Sequence, residues 1–194
     1  MRLHPLRFLS LFALLGLAPA PSPLVAPGRS IGNVTLGASP ETLEQLGPAA
    51  TSDAAMQKAW ATWYGKSTES GASPTQFDVY TAATGPDMHK SIQMIRATSS
   101  WFHTVGGLHP GSTLASLRQA CGPFKLATSY APTPKASLRY IYDNAKAGIA
   151  FELDGQTANS HCTAVIVHLP GQSGPSTYMA MTQYLKLINQ RMNK

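Results

Sequence analysis

Six histidines and two cysteines are the residues of this 194-residue chain with the widest chemical reach. His4 stands in an apolar amino-terminal segment, and His89, His103, His109, His161 and His168 in the body of the chain. There is no HExxH string and no CxxC pair, so neither a zinc-protease helix nor a thiolate zinc site is written here. The densest group is His161, Cys162 and His168. Alternation along a strand sets His168 on the face of Cys162 and His161 on the opposite one, so three ligands do not converge. No metal and no cofactor are expected. A nucleophilic serine needs an elbow of the GxSxG kind, and Gly171-Gln172-Ser173-Gly174 falls short of it and reads as a turn. Asp143, Glu152 and Asp154 are the clustered acids, and they read as solvated strand-end carboxylates without the spacing of an acid/base pair.

The cysteines, Cys121 and Cys162, read as a disulfide if the chain is exported. Closing a loop of that length stabilises by roughly 4 kcal/mol in the chain-entropy model. Strict alternation places Cys162 opposite Val165, Val167 and Leu169, away from the helix that bears Cys121. A bulge near Ser160 to Thr163 would reconcile the two.

The aromatic residues point to binding. Trp60 and Tyr64 alternate with Trp63, and Tyr80 with Phe77, so both faces of the first strands carry rings. One set enters the core. The other, Trp60, Tyr64 and Tyr80 with Arg96 as a polar neighbour, is expected on an open sheet face, where grouped aromatics anchor protein interfaces. The competing reading is that a linker or the C-terminal helix covers them.

The elements that must hold these residues are set by a motif that occurs twice. Ile31 to Pro48 reads IGNVTLGASPETLEQLGP and Val105 to Pro123 reads VGGLHPGSTLASLRQACGP. Such self-similarity indicates one supersecondary unit used twice. Ser39 and Thr113 are helix N-caps, and Gly47-Pro48 and Gly122-Pro123 are helix stops. A second helix is predicted around Ser52 to Lys58. Aromatic and β-branched runs follow each motif copy: Ala59 to Tyr64, Phe77 to Ala82 and Ser91 to His103 in the first half. In the second half they are Leu138 to Tyr142, Gly148 to Leu153 and Thr163 to Leu169. Ile149, Phe151 and Leu153 share a face, with Val165, Val167 and Leu169 beside them. Met181, Leu185, Ile188 and Met192 form one stripe of a C-terminal helix.

The predicted fold class is α+β: two tandem helix-plus-three-strand repeats forming an antiparallel sheet with helices on one face, plus a C-terminal helix. Residues 1–28 read as a signal peptide, 29–103 as the first repeat, 104–170 as the second, and 171–194 as the C-terminal helix and tail. Arg2 and Arg7 precede the apolar run Phe8 to Ala18, which is short for a membrane span, and cleavage is expected after Gly28. Losing those arginines takes the basic count from 15 to 13 against 9 acids, a net charge of +4 in place of +6. The remaining basic residues form no run or stripe, so nucleic acid is not an expected partner.

The glycine-rich repeat, its leucine and its Gly-Pro stop before aromatic strands resemble the tandem-repeat fold of the β-lactamase inhibitor protein. More distantly they resemble the small lipoproteins of outer-membrane assembly. That resemblance implies a curved antiparallel sheet, no catalysis, no cofactor, and binding to another protein. The chain lacks the acylated cysteine of the lipoproteins. The expectation is therefore an exported, non-enzymatic binding module, periplasmic or extracellular, whose partner is a protein or cell-envelope component. The alternative is a small secreted hydrolase with a site that spacing does not show.

Overall fold

The computed structural model describes residues 22–65, 74–172 and 174–192. Its centre is an eight-stranded sheet of β4 (Thr51–Ala55), β5 (Lys58–Tyr64), β6 (Gln76–Thr84), β7 (His89–Ala97), β9 (Lys125–Tyr130), β10 (Arg139–Asn144), β11 (Ile149–Leu153) and β12 (Cys162–His168). The spatial order is β4-β5-β6-β7-β12-β11-β10-β9, antiparallel throughout. Two four-strand meanders thus meet at one seam, β7 against β12, where Met94 to Ala97 pair with Val165 to His168. A smaller sheet of β1 (Leu24–Ala26), β2 (Ser30–Ile31), β3 (Val34–Thr35) and β8 (His103–Thr104) lies beside it in the order β3-β2-β1-β8.

This corrects the α+β expectation. Among the described residues the protein is mostly β, with twelve strands in two sheets, 40% strand against 20% helix. Each meander has four strands where three were expected, because Thr51–Ala55 and Lys125–Tyr130 are strands. The helix expected at Ser52 to Lys58 is instead the β4–β5 hairpin, turning at Met56-Gln57. TSDAA has no apolar face for a helix to bury, whereas each of its residues pairs with β5. The first motif helix is a single 3-10 segment, Pro40–Leu46, with no buried residue. The second is α1 (Leu114–Cys121), whose Leu114 and Leu117 are fully buried. Gly47 and Gly122 end these two helices with φ of 73° and 75°, values that glycine adopts without a Cβ penalty.

Helices do not keep to one face. The small sheet, the 3-10 segment and α1 cover one side of the large sheet, enclosing a core that includes Val25, Ile31, Leu117, Phe151, Val165 and Val167. The C-terminal helix, α2 (Pro175–Met192), covers the other side, burying Tyr178, Met181, Leu185 and Ile188 against Trp60, Ile141, Ala150 and Ile166. Burial on both faces is why all five residues of β11 are inaccessible.

The amino-terminal boundary expected after Gly28 falls inside the fold. Val25 is buried in β1, and Gly28 donates its backbone N–H to Gly148 O at 3.0 Å. A Cβ built at Gly28 would lie 2.8 Å from the Pro170 ring, so the chain passes in close contact there. Residues 1–21 of the expected signal peptide lie outside the described residues, as does Ser173 of the expected Gly171–Gly174 turn.

Candidate functional site

On the α2 side of the sheet, a row of polar side chains crosses the strands in a setting that is otherwise apolar. Asp78 on β6 and Arg96 on β7 are directly opposite in register. Arg96 donates from Nη1 to Asp78 Oδ2 at 2.7 Å, and from Nε and Nη2 to the two Glu152 oxygens at 3.1 and 3.2 Å. Glu152 sits on β11, so the guanidinium reaches diagonally over β12, where the residue opposite Glu152 is the small Ala164. Tyr130 and Thr163 complete the shell by donating to Glu152 at 2.8 and 2.7 Å, and Thr62 donates to Asp78 at 2.6 Å.

All three charged groups are buried. Burial disfavours the Glu152 carboxylate, but Arg96, Thr163 and Tyr130 together hold its pKa below the ordinary value. Burial dominates at Asp78, whose pKa is raised despite Arg96. For Arg96, burial works against the charge, and Glu152, Tyr130 and Asp78 outweigh it, so it is held above its ordinary value. Each charge of the cluster faces an opposite one within hydrogen-bond distance, so removing any one partner would leave another buried and uncompensated.

Beside it lies a stack of three rings. Trp60 is 5% exposed and lies between Tyr80, with centroids 4.8 Å apart, and Tyr184 of α2, 5.4 Å away. The Tyr184 hydroxyl lies 2.8 Å from Thr62 Oγ1, and burial pushes its pKa up to about 12. The expected open face is therefore closed. Trp60 is buried and Tyr80 half-buried under the C-terminal helix, Arg96 is buried in the ion cluster, and Tyr64 is half-buried and lines an accessible cleft. An aromatic row too apolar for water has been packed under the one amphipathic helix long enough to span it.

The other alternation set forms an accessible surface. Trp63 and Phe77 are register partners on β5 and β6. With Val34, Leu46, Trp101 and Phe102 they line a cleft of about 380 Å³. Phe102 packs against Phe77 at 5.4 Å and edge-on against Trp101 at 4.9 Å. Trp63 Nε1 donates to Gly47 O at 3.0 Å, which ties the helix stop to the cleft wall. Among the described residues, none of those lining the cleft is charged.

The structure also places the histidines and cysteines, and the bulge expected near Ser160 to Thr163 is present at Thr163. Cys121 and Cys162 are free thiols. The pairing of β11 with β12 shifts register at Thr163, so Cys162 turns to the side of Val165 and Val167 and joins their core. Its Sγ donates to Ala164 O at 3.2 Å, and burial raises its pKa. The same bulge reverses the expected relation to His168, which faces α2 and packs edge-on against Tyr178. His168 Nε2 lies 3.0 Å from Asp143 Oδ1 and Nδ1 lies 2.9 Å from Leu169 O, so each ring nitrogen faces an acceptor. Asp143 and Glu152, expected in solvent, are both buried in pairs, whereas Asp154 is exposed and caps the His161 N–H at 2.8 Å.

No family profile matches the chain, and no curated protein matches it. In shape it is distantly similar to the uncharacterized protein yfeY from Escherichia coli. The two share 11% identity and a TM-score of 0.40 over 74% of this chain and 98% of that one. A likeness of that depth carries no argument about function. These comparisons give no family evidence on the resemblance to the β-lactamase inhibitor protein or the assembly lipoproteins.

Trp101 and Phe102 are the cleft residues that sequence reasoning missed. They were absorbed into one predicted strand from Ser91 to His103, but β7 stops at Ala97 and the chain turns before β8. Ser99-Ser100, a polar pair inside an aromatic run, was the available signal for that break.

Proposed function

We propose that the protein is an exported, non-enzymatic binding module, and that its binding surface is the aromatic cleft between the small sheet and the ends of β5 and β6. The lining of that cleft carries the reading: five aromatic residues, no charge among the described residues, and a volume of about 380 Å³, within the range of small-ligand sites. The occupant is an acyl chain of an envelope lipid or lipidated component. A hydrocarbon chain asks for no hydrogen bonds from the wall and fits the apolar part of this lining, Val34, Leu46, Trp63, Phe77, Trp101 and Phe102. Export is supported by Arg2, Arg7 and the apolar run after them. The absence of catalysis is supported by the saturation of Arg96 and Glu152 and by the burial of Cys162.

The test is a titration of the purified protein with n-decyl maltoside below its micellar concentration, followed by tryptophan fluorescence. A saturable blue shift is expected. Trp101→Ala removes a ring that is 48% exposed, so thermal stability is expected to hold while affinity falls about fivefold or more, the equivalent of ~1 kcal/mol. No saturable change, or an unchanged affinity in the variant, overturns the reading. Binding of apolar peptides without binding of the alkyl glycoside would assign the cleft to a protein partner instead.

A further inference from the structure

Where β10, β12 and the start of α2 meet, a buried histidine has no neutral form that suits its surroundings. The side chains of His168 and Asp143 are both closed to solvent. Each ring nitrogen faces an oxygen, Nε2 toward Asp143 Oδ1 at 3.0 Å and Nδ1 toward Leu169 O at 2.9 Å. A neutral imidazole carries one N–H and one bare lone pair. Whichever tautomer forms, a lone pair would confront an acceptor oxygen inside a closed site. The imidazolium removes that conflict, because it donates from both nitrogens and sets a positive charge against the Asp143 carboxylate.

The pair lies directly under α2. Tyr178, in the first turns of that helix, is fully buried and packs edge-on against the His168 ring at 6.1 Å. Its hydroxyl and Asp143 Oδ2 are both buried without a hydrogen-bond partner among the described residues. Burial first, and then the Asp143 carboxylate, raise the Tyr178 pKa, so this hydroxyl keeps its proton. Other charges are placed elsewhere. Met94 of β7 is the register partner of His168, and Ala150 of β11 is that of Asp143. Arg96 lies farther along β7, opposite Ile166, and is committed to Asp78 and Glu152. Lys146 in the β10–β11 turn is exposed, and α2 carries no charged residue before Lys186. His168 is therefore the group that balances the Asp143 charge.

We infer that His168 is a proton-operated latch for α2: as an imidazolium it holds the helix closed over the sheet, and on losing one proton it lets the helix lift. Loss of that proton leaves the Asp143 carboxylate buried and uncompensated beneath Tyr178. Water must then reach it, and α2 is the cover that can yield without breaking a strand pair. With α2 lifted, the imidazole is hydrated and mostly neutral above about pH 6.5. Closure therefore takes up one proton above that pH. The stability it contributes is complete below about pH 6.5 and declines as pH rises. The latch lies on the opposite side of the sheet from the aromatic cleft and does not depend on it.

The experiment uses the whole protein labelled with ¹⁵N. At pH 7 the His168 ring is expected to show two protonated nitrogens. Hydrogen exchange then compares the amides of α2 with those of β11 between pH 6.5 and 8.5. Protection of α2 is expected to fall about fivefold or more over that interval, and protection of β11 to hold. His168→Gln keeps a donor for Asp143 and cannot titrate, so its α2 profile is expected to be flat. Tyr178→Phe keeps the ring and the latch, so its profile is expected to follow the parent. A single ring N–H at pH 7, a flat parent profile, or equal losses in α2 and β11 overturns the inference. So does a pH response that survives in His168→Gln or vanishes in Tyr178→Phe. The first three results are read on the parent protein, so they decide the matter even where a variant fails to fold. Each of them leaves the alkyl-chain reading of the cleft untouched.

Discussion

Glu152 and Asp78 share one arginine and respond to acid in opposite senses. The folded pKa of Glu152 lies below its ordinary value of about 4.5, so its contribution to stability is complete above that value and drains away as pH falls through the folded pKa. Asp78 is raised above its ordinary 3.8, chiefly by burial, so its charged form is a cost that protonation removes. Glu152→Gln deletes the first effect and keeps the second. The variant is expected to be less stable at neutral pH and to lose less on acidification below about pH 4.5 than the parent. Urea midpoints measured across that interval check it, and parallel curves for the two proteins would show that Glu152 does not carry the acid response. The sequence showed Arg96 on the face of Trp60 and Tyr64, which is where it lies. It could not show the partner. Glu152 is 56 residues away in the chain, and the contact depends on the seam register and on Ala164 being small enough to reach across. His168 was misplaced for a related reason: one extra residue, Thr163, shifts the alternation of everything before it relative to everything after.

The Met56-Gln57 turn shows what can and cannot be read of an element. Both residues have positive φ, 47° and 63°, in a two-residue hairpin loop whose usual sequence is Asn-Gly. Without that signature, and with TSDAA before it, the stretch reads more like helix than hairpin. Met56→Asn with Gln57→Gly is expected to stabilise by about 0.5–1 kcal/mol, since both new residues accept left-handed backbone more readily. Thermal melts check this, and an unchanged midpoint would show that the hairpin already meets its turn geometry at no cost. The central strands were legible because burial on two faces leaves long apolar and aromatic runs, as in Ile149 to Leu153. The edge strands β4 and β9 were not, because a strand buried little on either face carries no alternation. Of the cleft, Trp63 and Phe77 were legible as the alternation set opposite Trp60, and Trp101 and Phe102 were hidden in a run that only the turn at Ser99-Ser100 divides. The stripe of α2 was read correctly at Met181, Leu185 and Ile188. Nothing local in it says which sheet face it closes.

At the scale of the molecule, the small sheet depends on residues that a cut after Gly28 would discard. Val25 is buried, β1 is the strand that joins β2 to β8, and the Gly28–Gly148 contact ties this corner to the second meander. Protein beginning at Arg29 is expected to be less stable than protein beginning at Ser22 by about 2 kcal/mol or more, from the loss of one buried valine and its strand pairing. Denaturation of the two forms compares them directly, and equal stability would show β1 to be dispensable. By the same reasoning, if the chain is exported as proposed, processing that preserves the fold cuts upstream of Leu24. The seam between the meanders has a consequence of its own, for the order in which the chain folds. Within each half, neighbouring strands are close in sequence and can zip together early. β7 and β12 are separated by the whole of α1 and four further strands, so joining them requires closure of a long loop late in the process. Val165→Ala, at that joint, is expected to hasten unfolding and leave the refolding rate nearly unchanged. Val79→Ala, inside the first meander, is expected to slow refolding. Stopped-flow chevrons of the two variants would show whether the halves assemble first and dock last.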